Sequence, residues 1–141
     1  MKTLQLDRIE NPDFSVLAIN SHVKSYKICW SINKHLNTNF IKVKSHKVET
    51  NTIQFFDRFT FIDIKNDSQY DLVCNQSPSG YLLGSHKSVN YFLKIQNKLW
   101  QSEKQYFIDK LNEIPDILLI FELNLEKIKS LTPFILNDKQ N

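Results

Sequence analysis

The side chains in this 141-residue chain with chemistry to offer are two cysteines, four histidines and a scatter of carboxylates. A cysteine nucleophile works as the thiolate, so it needs a basic or electropositive neighbour. Cys29 stands beside Trp30 on the apolar side of a helical pattern, where burial raises a thiol pKa, and it reads as a core cysteine. Cys74, on a strand-like run, reads the same way. The two are far apart with no Cys-x-x-Cys, which fits a reducing compartment. His22, His35, His46 and His86 form no set with zinc-ligand spacing, so no metal site is expected. An acid/base pair would have to come from Asp57, Asp63, Asp67, Asp71, Glu113, Asp116 and Glu122. Two of them would have to converge in one cleft. Their positions read instead as solvated strand ends and turns.

Lys42, Lys44, His46 and Lys47, with Phe40 nearby, raise the question of nucleic acid, because single-strand binders interleave basic and aromatic groups on one sheet face. A lysine-bearing edge strand explains them equally well. The formal charge is only +3, and Arg8 and Arg58 are the only arginines, so the bidentate donor that favours phosphate is nearly missing. Nucleic acid is therefore at most a weak partner. Glycine occurs only at Gly80 and Gly84, which leaves no material for a phosphate-cradling loop. Neither a metal nor an organic cofactor is expected.

The elements that must position these groups can be read from periodicity. Residues 14–19 are a compact apolar run and predict a buried strand, and Asn20 or Ser21 offers N-cap chemistry for a helix after it. Val23, Tyr26, Cys29, Trp30 and Leu36 recur at helical spacing and predict a helix over 22–36, with Trp30 in the core and Asn37 near its end. Residues 40–44 alternate like a half-exposed strand. Residues 52–64 predict a long strand, central and covered in places on both faces, with a bulge at Asp57 and Arg58. A turn at 66–68 leads to a returning strand over 70–74. Residues 89–95 alternate as another strand. A second helix runs over 101–113 with Trp100 and Phe107 towards the core, ended by Pro115. A buried strand over 117–121 and a short last helix capped by Asn124 complete the series.

This order predicts one α+β domain over 1–141: a mixed, largely antiparallel sheet, two main helices and a short C-terminal helix. The strand–helix–strand units at either end can be parallel crossovers. A short edge strand is expected around Leu4 and Leu6, and a frayed tail after about 136. The first residues lack the apolar run of a signal peptide, and no stretch approaches eighteen apolar residues, so a cytoplasmic location and no membrane partner are expected.

Val89-Asn90-Tyr91, read with Leu83-Gly84-Ser85, resembles the motif of a bacterial family named for it, IPExxxVDY. Asparagine stands here where the motif has aspartate, and only the aliphatic residue of the first three is kept. Ser21-His22, the Trp30 to Leu36 stretch, the 75–83 loop, Asn90-Tyr91-Phe92-Leu93 and Ile120-Phe121-Glu122-Leu123 extend the resemblance along most of the chain. It implies a cytoplasmic bacterial protein of a family without an established activity.

The residue types favour a non-catalytic interaction or scaffold domain. Phe55, Phe56, Phe59, Phe61, Tyr91 and Phe92 give more aromatic surface than one core face needs, and a protein partner or a second copy can bury the surplus. A small enzyme with a site near residues 76–90 is the alternative, built on His86, Asn90 and Asp116. In either case the expected functional edge is the 76–90 loop, with Ser79, Gly80, His86, Asn90 and Tyr91 as its candidate residues.

Overall fold

The computed structural model describes residues 12–136; the edge strand expected at Leu4 and Leu6 and the tail expected after 136 lie outside them. The chain runs β1 (Ser15–Asn20), α1 (Ser25–Leu36), β2 (Ile41–Glu49), β3 (Ile53–Asp63), β4 (Ser68–Cys74), the two-residue strands β5 (Gln76–Ser77) and β6 (Gly80–Tyr81), β7 (Tyr91–Gln96), α2 (Trp100–Asn112) and β8 (Leu119–Glu122). Short 3-10 turns sit at Gly84–His86, Leu125–Lys127 and Thr132–Phe134. The architecture is α+β. One sheet has the order β2-β3-β4-β7-β1-β8, with every neighbouring pair antiparallel, and β5 and β6 form a separate ribbon. The alternation makes β1 and β2 parallel with three strands between them, and β7 and β8 parallel across β1. Both strand–helix–strand units therefore cross between strands that are not neighbours.

Period-two alternation gives the sheet two apolar faces. On one, Leu17, Ile19, Phe59, Tyr70, Leu72, Leu93 and Ile95 meet Ile28, Cys29 and Ile32 of α1 and Trp100 and Leu111 of α2. Phe107 packs partly buried at the rim of this core, its ring stacked on Tyr70 at 5.5 Å. On the other face Val16, Ala18, Phe56, Val73 and Phe92 lie under Leu82, Leu83 and Val89 of the 76–90 loop and Leu123, Leu131 and Phe134 of the C-terminal segment. Fully burying each such side chain contributes about 1.5–3 kcal/mol. The second face also holds a buried polar set. Both Nε and Nη2 of Arg58 donate to Asp71 Oδ1, at 2.9 and 2.8 Å, and Thr60 Oγ1 donates to the same oxygen at 2.6 Å.

The predicted elements need four corrections. Trp30 is 55% exposed, because α1 buries Ile28, Cys29, Ser31 and Ile32 and so turns its apolar arc away from the expected Tyr26–Trp30 side. Helix α1 begins at Ser25, with Lys24 at its N-cap and no side-chain cap bond; the Ser21 hydroxyl instead accepts the Val23 N–H at 3.3 Å. The irregularity near Asp57 and Arg58 is real, but the extra residue belongs to β2: three steps from Val43 to His46 match two from Arg58 to Phe56. The strand expected to be buried over 117–121 is the edge strand β8, with Leu118, Leu119 and Phe121 exposed because only β1 flanks it. Asn37 ends α1 in the left-handed region at φ 57°, as its type permits. The short last helix is the 3-10 turn Leu125–Lys127, where Asn124 Oδ1 accepts the Glu126 N–H at 3.1 Å.

Candidate functional site

Where β1 gives way to α1 and β4 to the 76–90 loop, the two connections border an open cleft of about 500 Å³. Tyr91 opens β7 at its floor, Cys74 closes β4 beside it, and Lys24, Ser25 and Tyr26 present the start of α1. Tyr81 and Lys87 come from the loop opposite, the Lys87 ammonium 5.7 Å from the Tyr81 ring centre. The lining contains Lys24, Lys87 and His22 and no carboxylate.

The loop owes its shape to Asn75, which is fully buried. Its Nδ2 donates to the carbonyls of His86 and Val89 at 2.9 and 2.8 Å, and its Oδ1 accepts the Leu83 N–H at 2.9 Å. A buried main-chain group without a partner is costly, so one amide side chain fixes the path of the whole excursion. The β5–β6 ribbon is held to β3 by Gln54, whose Oε1 accepts the Ser77 hydroxyl at 2.9 Å. A Cβ on Gly80 would stand 2.8 Å from that same Oε1. Any other residue there would push the end of the Gln54 side chain aside.

Of the five expected residues, the structure brings Asn90 and Tyr91 into the cleft and leaves Ser79, Gly80 and His86 outside its lining. Asn90 Oδ1 accepts the Ser21 N–H at 2.8 Å, and the Tyr91 hydroxyl donates to the Val23 carbonyl. Both hold the root of α1. The His86 ring lies beside the Ser85 hydroxyl, with Nδ1 2.9 Å from Oγ. Asp116 accepts the Ser31 hydroxyl at 2.7 Å and faces Lys27 at 3.5 Å, a pairing that keeps its carboxyl below the usual range. His86, Asn90 and Asp116 thus have separate partners and do not converge.

The thiols are poor nucleophiles where they stand. Burial pushes Cys29 up to about 11, and burial with a smaller contribution from Asp57 pushes Cys74 to about 11 as well. Burial likewise lifts the Tyr91 phenol to about 12. Among the described residues no group of three or more His, Cys, Asp or Glu side chains is placed to hold a metal, and no helix is long and apolar enough to cross a membrane.

Periodicity places Tyr26 on the core-facing arc of the helix, and nothing in the spacing singles out Lys24, or Tyr81 and Lys87 within the 76–90 loop. One signal for Lys24 is present: from Phe14 to Val48 the chain has no Asp or Glu, and it carries six lysines there. That run includes α1, whose exposed side leads out of the cleft as Tyr26, Trp30 and Lys34, four residues apart in turn and so stacked in a row. The chain matches no family model and no curated protein.

Proposed function

We propose that this is a non-catalytic interaction domain that docks a protein partner on the cleft and on the outer row of α1. The observation that carries the reading is the exposure of Trp30 and Tyr26, 55% and 68%, in line with the cleft mouth. Tryptophan and tyrosine are the side chains that most often anchor interfaces, because they bury large area at low entropic cost. The catalytic alternative loses support from the geometry: its three polar candidates are apart, its thiols are protonated at neutral pH, and the Asn90 and Tyr91 side chains hold main-chain groups.

The test is capture of interacting proteins from an extract of the native cell by wild-type protein and by Trp30→Ala and Tyr26→Ala. The expected result is a partner held by wild type and lost from both variants. A partner retained equally by all three forms refutes this surface.

A further inference from the structure

We infer that the segment received on this surface is acidic, with an apolar or aromatic residue close to a carboxylate; the inference rests on the docking reading above. Charge complementarity carries it. Lys24 and Lys87 flank the cleft with no carboxylate in its lining, and Lys27 and Lys34 continue the positive charge along α1, their ammonium groups 5.6 and 4.9 Å from the Trp30 ring centre. Asp116 answers Lys27, but among the described residues no carboxylate pairs with Lys24, Lys34 or Lys87. A surface on which lysines outnumber carboxylates in this way attracts acidic partners and repels basic ones.

Tyr26 and Trp30 stand exposed beside these lysines, so an apolar side chain near the carboxylate has aromatic surface to cover. In an extended segment, residues two apart share one face, so a carboxylate and an apolar residue at that spacing can meet the surface together. Nucleic acid fits less well. Arg58, the one arginine of the described residues, is committed to buried Asp71 and so offers phosphate no bidentate donor on this surface.

The probe is a fluorescein-labelled nine-residue peptide with one Glu and one Phe two positions apart on a Ser/Gly background, read by fluorescence anisotropy with the full chain. Binding is expected to weaken from 50 to 200 mM salt. It should fall about tenfold in Lys24→Glu/Lys87→Glu and stay unchanged in the distant Lys98→Glu. Thermal unfolding of each variant checks that it is folded. Equal binding by the double variant, equal binding of a peptide with Lys in place of Glu, or no binding by wild type overturns the acidic assignment. Tighter binding of oligothymidylate overturns it in favour of nucleic acid. These outcomes are separate from the docking reading, which stands or falls on the loss of a captured partner in Trp30→Ala.

Discussion

Asn90 Oδ1 accepts the main-chain N–H of Ser21 at 2.8 Å, and this bond joins residues 69 positions apart at the point where β1 ends and β7 begins. The bond needs an acceptor oxygen and no more. An aspartate at this position supplies one, charged and so somewhat stronger. Asn90→Asp is therefore expected to unfold in urea within about 0.5 kcal/mol of wild type, while Asn90→Ala loses about 1–2 kcal/mol with the acceptor gone. Equal losses in the two variants would show that the amide Nδ2, and not the oxygen, is what the site requires.

Asn75 holds the 76–90 loop through three side-chain bonds and has no exposed surface. Asn75→Ala strips partners from the His86 and Val89 carbonyls and the Leu83 N–H, and each buried group left unpaired costs about 1–3 kcal/mol unless the loop opens to water. The loop is the cheaper thing to give up. The expected outcome is faster hydrogen exchange at Leu83 with the β3–β4 amides still protected. Unchanged exchange at Leu83 would mean that the loop is held by Leu82, Leu83 and Val89 packing alone.

Trp30 and Ile32 separate burial from hydrophobicity. Ile32 is fully buried against the sheet, whereas Trp30 is 55% exposed. Ile32→Ala should cost about 2–5 kcal/mol from lost transfer energy and the cavity left behind. Trp30→Ala should stay within about 1 kcal/mol, since it opens no cavity. Chemical denaturation of both variants checks the order, and a Trp30→Ala loss as large as that of Ile32→Ala would contradict the placement of α1.

These two residues also show what is legible in the sequence. Element type and order come from periodicity, and the hairpin of β3 and β4, the Asn37 stop and the Asn124 cap come from local chemistry that acts wherever the fold puts it. The rotation of α1 does not. Tyr26, Cys29, Trp30 and Leu36 form one plausible arc and Ile28, Cys29, Ile32 and Leu36 another, and only packing against a flat sheet decides between them. Isoleucines pack close to the sheet, while Trp30 finds cationic partners at the rim. The cleft is half legible for a related reason. Asn90 and Tyr91 sit in a recognisable stretch, but Lys24 and Lys87 meet only because the sheet order brings β1 and the loop before β7 together.

His46 carries the last prediction. It is 4% exposed on β2, with Nε2 2.8 Å from the Pro133 carbonyl, so the neutral ring places its proton on Nε2; Nδ1 has no partner among the described residues. Charging the ring adds a proton at Nδ1 where nothing accepts it. Burial accordingly lowers the pKa from the ordinary 6.5; Arg58 and Lys94 add to the push, and the Pro133 bond and Asp71 oppose it. In the unfolded chain the imidazole titrates near its ordinary value of about 6.5. Between the lowered folded value and about 6.5 the unfolded chain thus binds more protons, so stability falls as pH falls through that window and is level above it. His46→Gln keeps a donor for Pro133 without titrating. Urea unfolding from pH 7.5 to 5 should show wild type losing stability relative to His46→Gln. The protection factors of the Phe134 and Ile135 amides, taken relative to the intrinsic rate at each pH, should fall in acid, because Pro133 and the Phe134 ring, 5.3 Å from Phe92, are the contacts that charging strains first. Parallel curves for the two proteins would mean that the ring takes up its proton without disturbing the C-terminal turn.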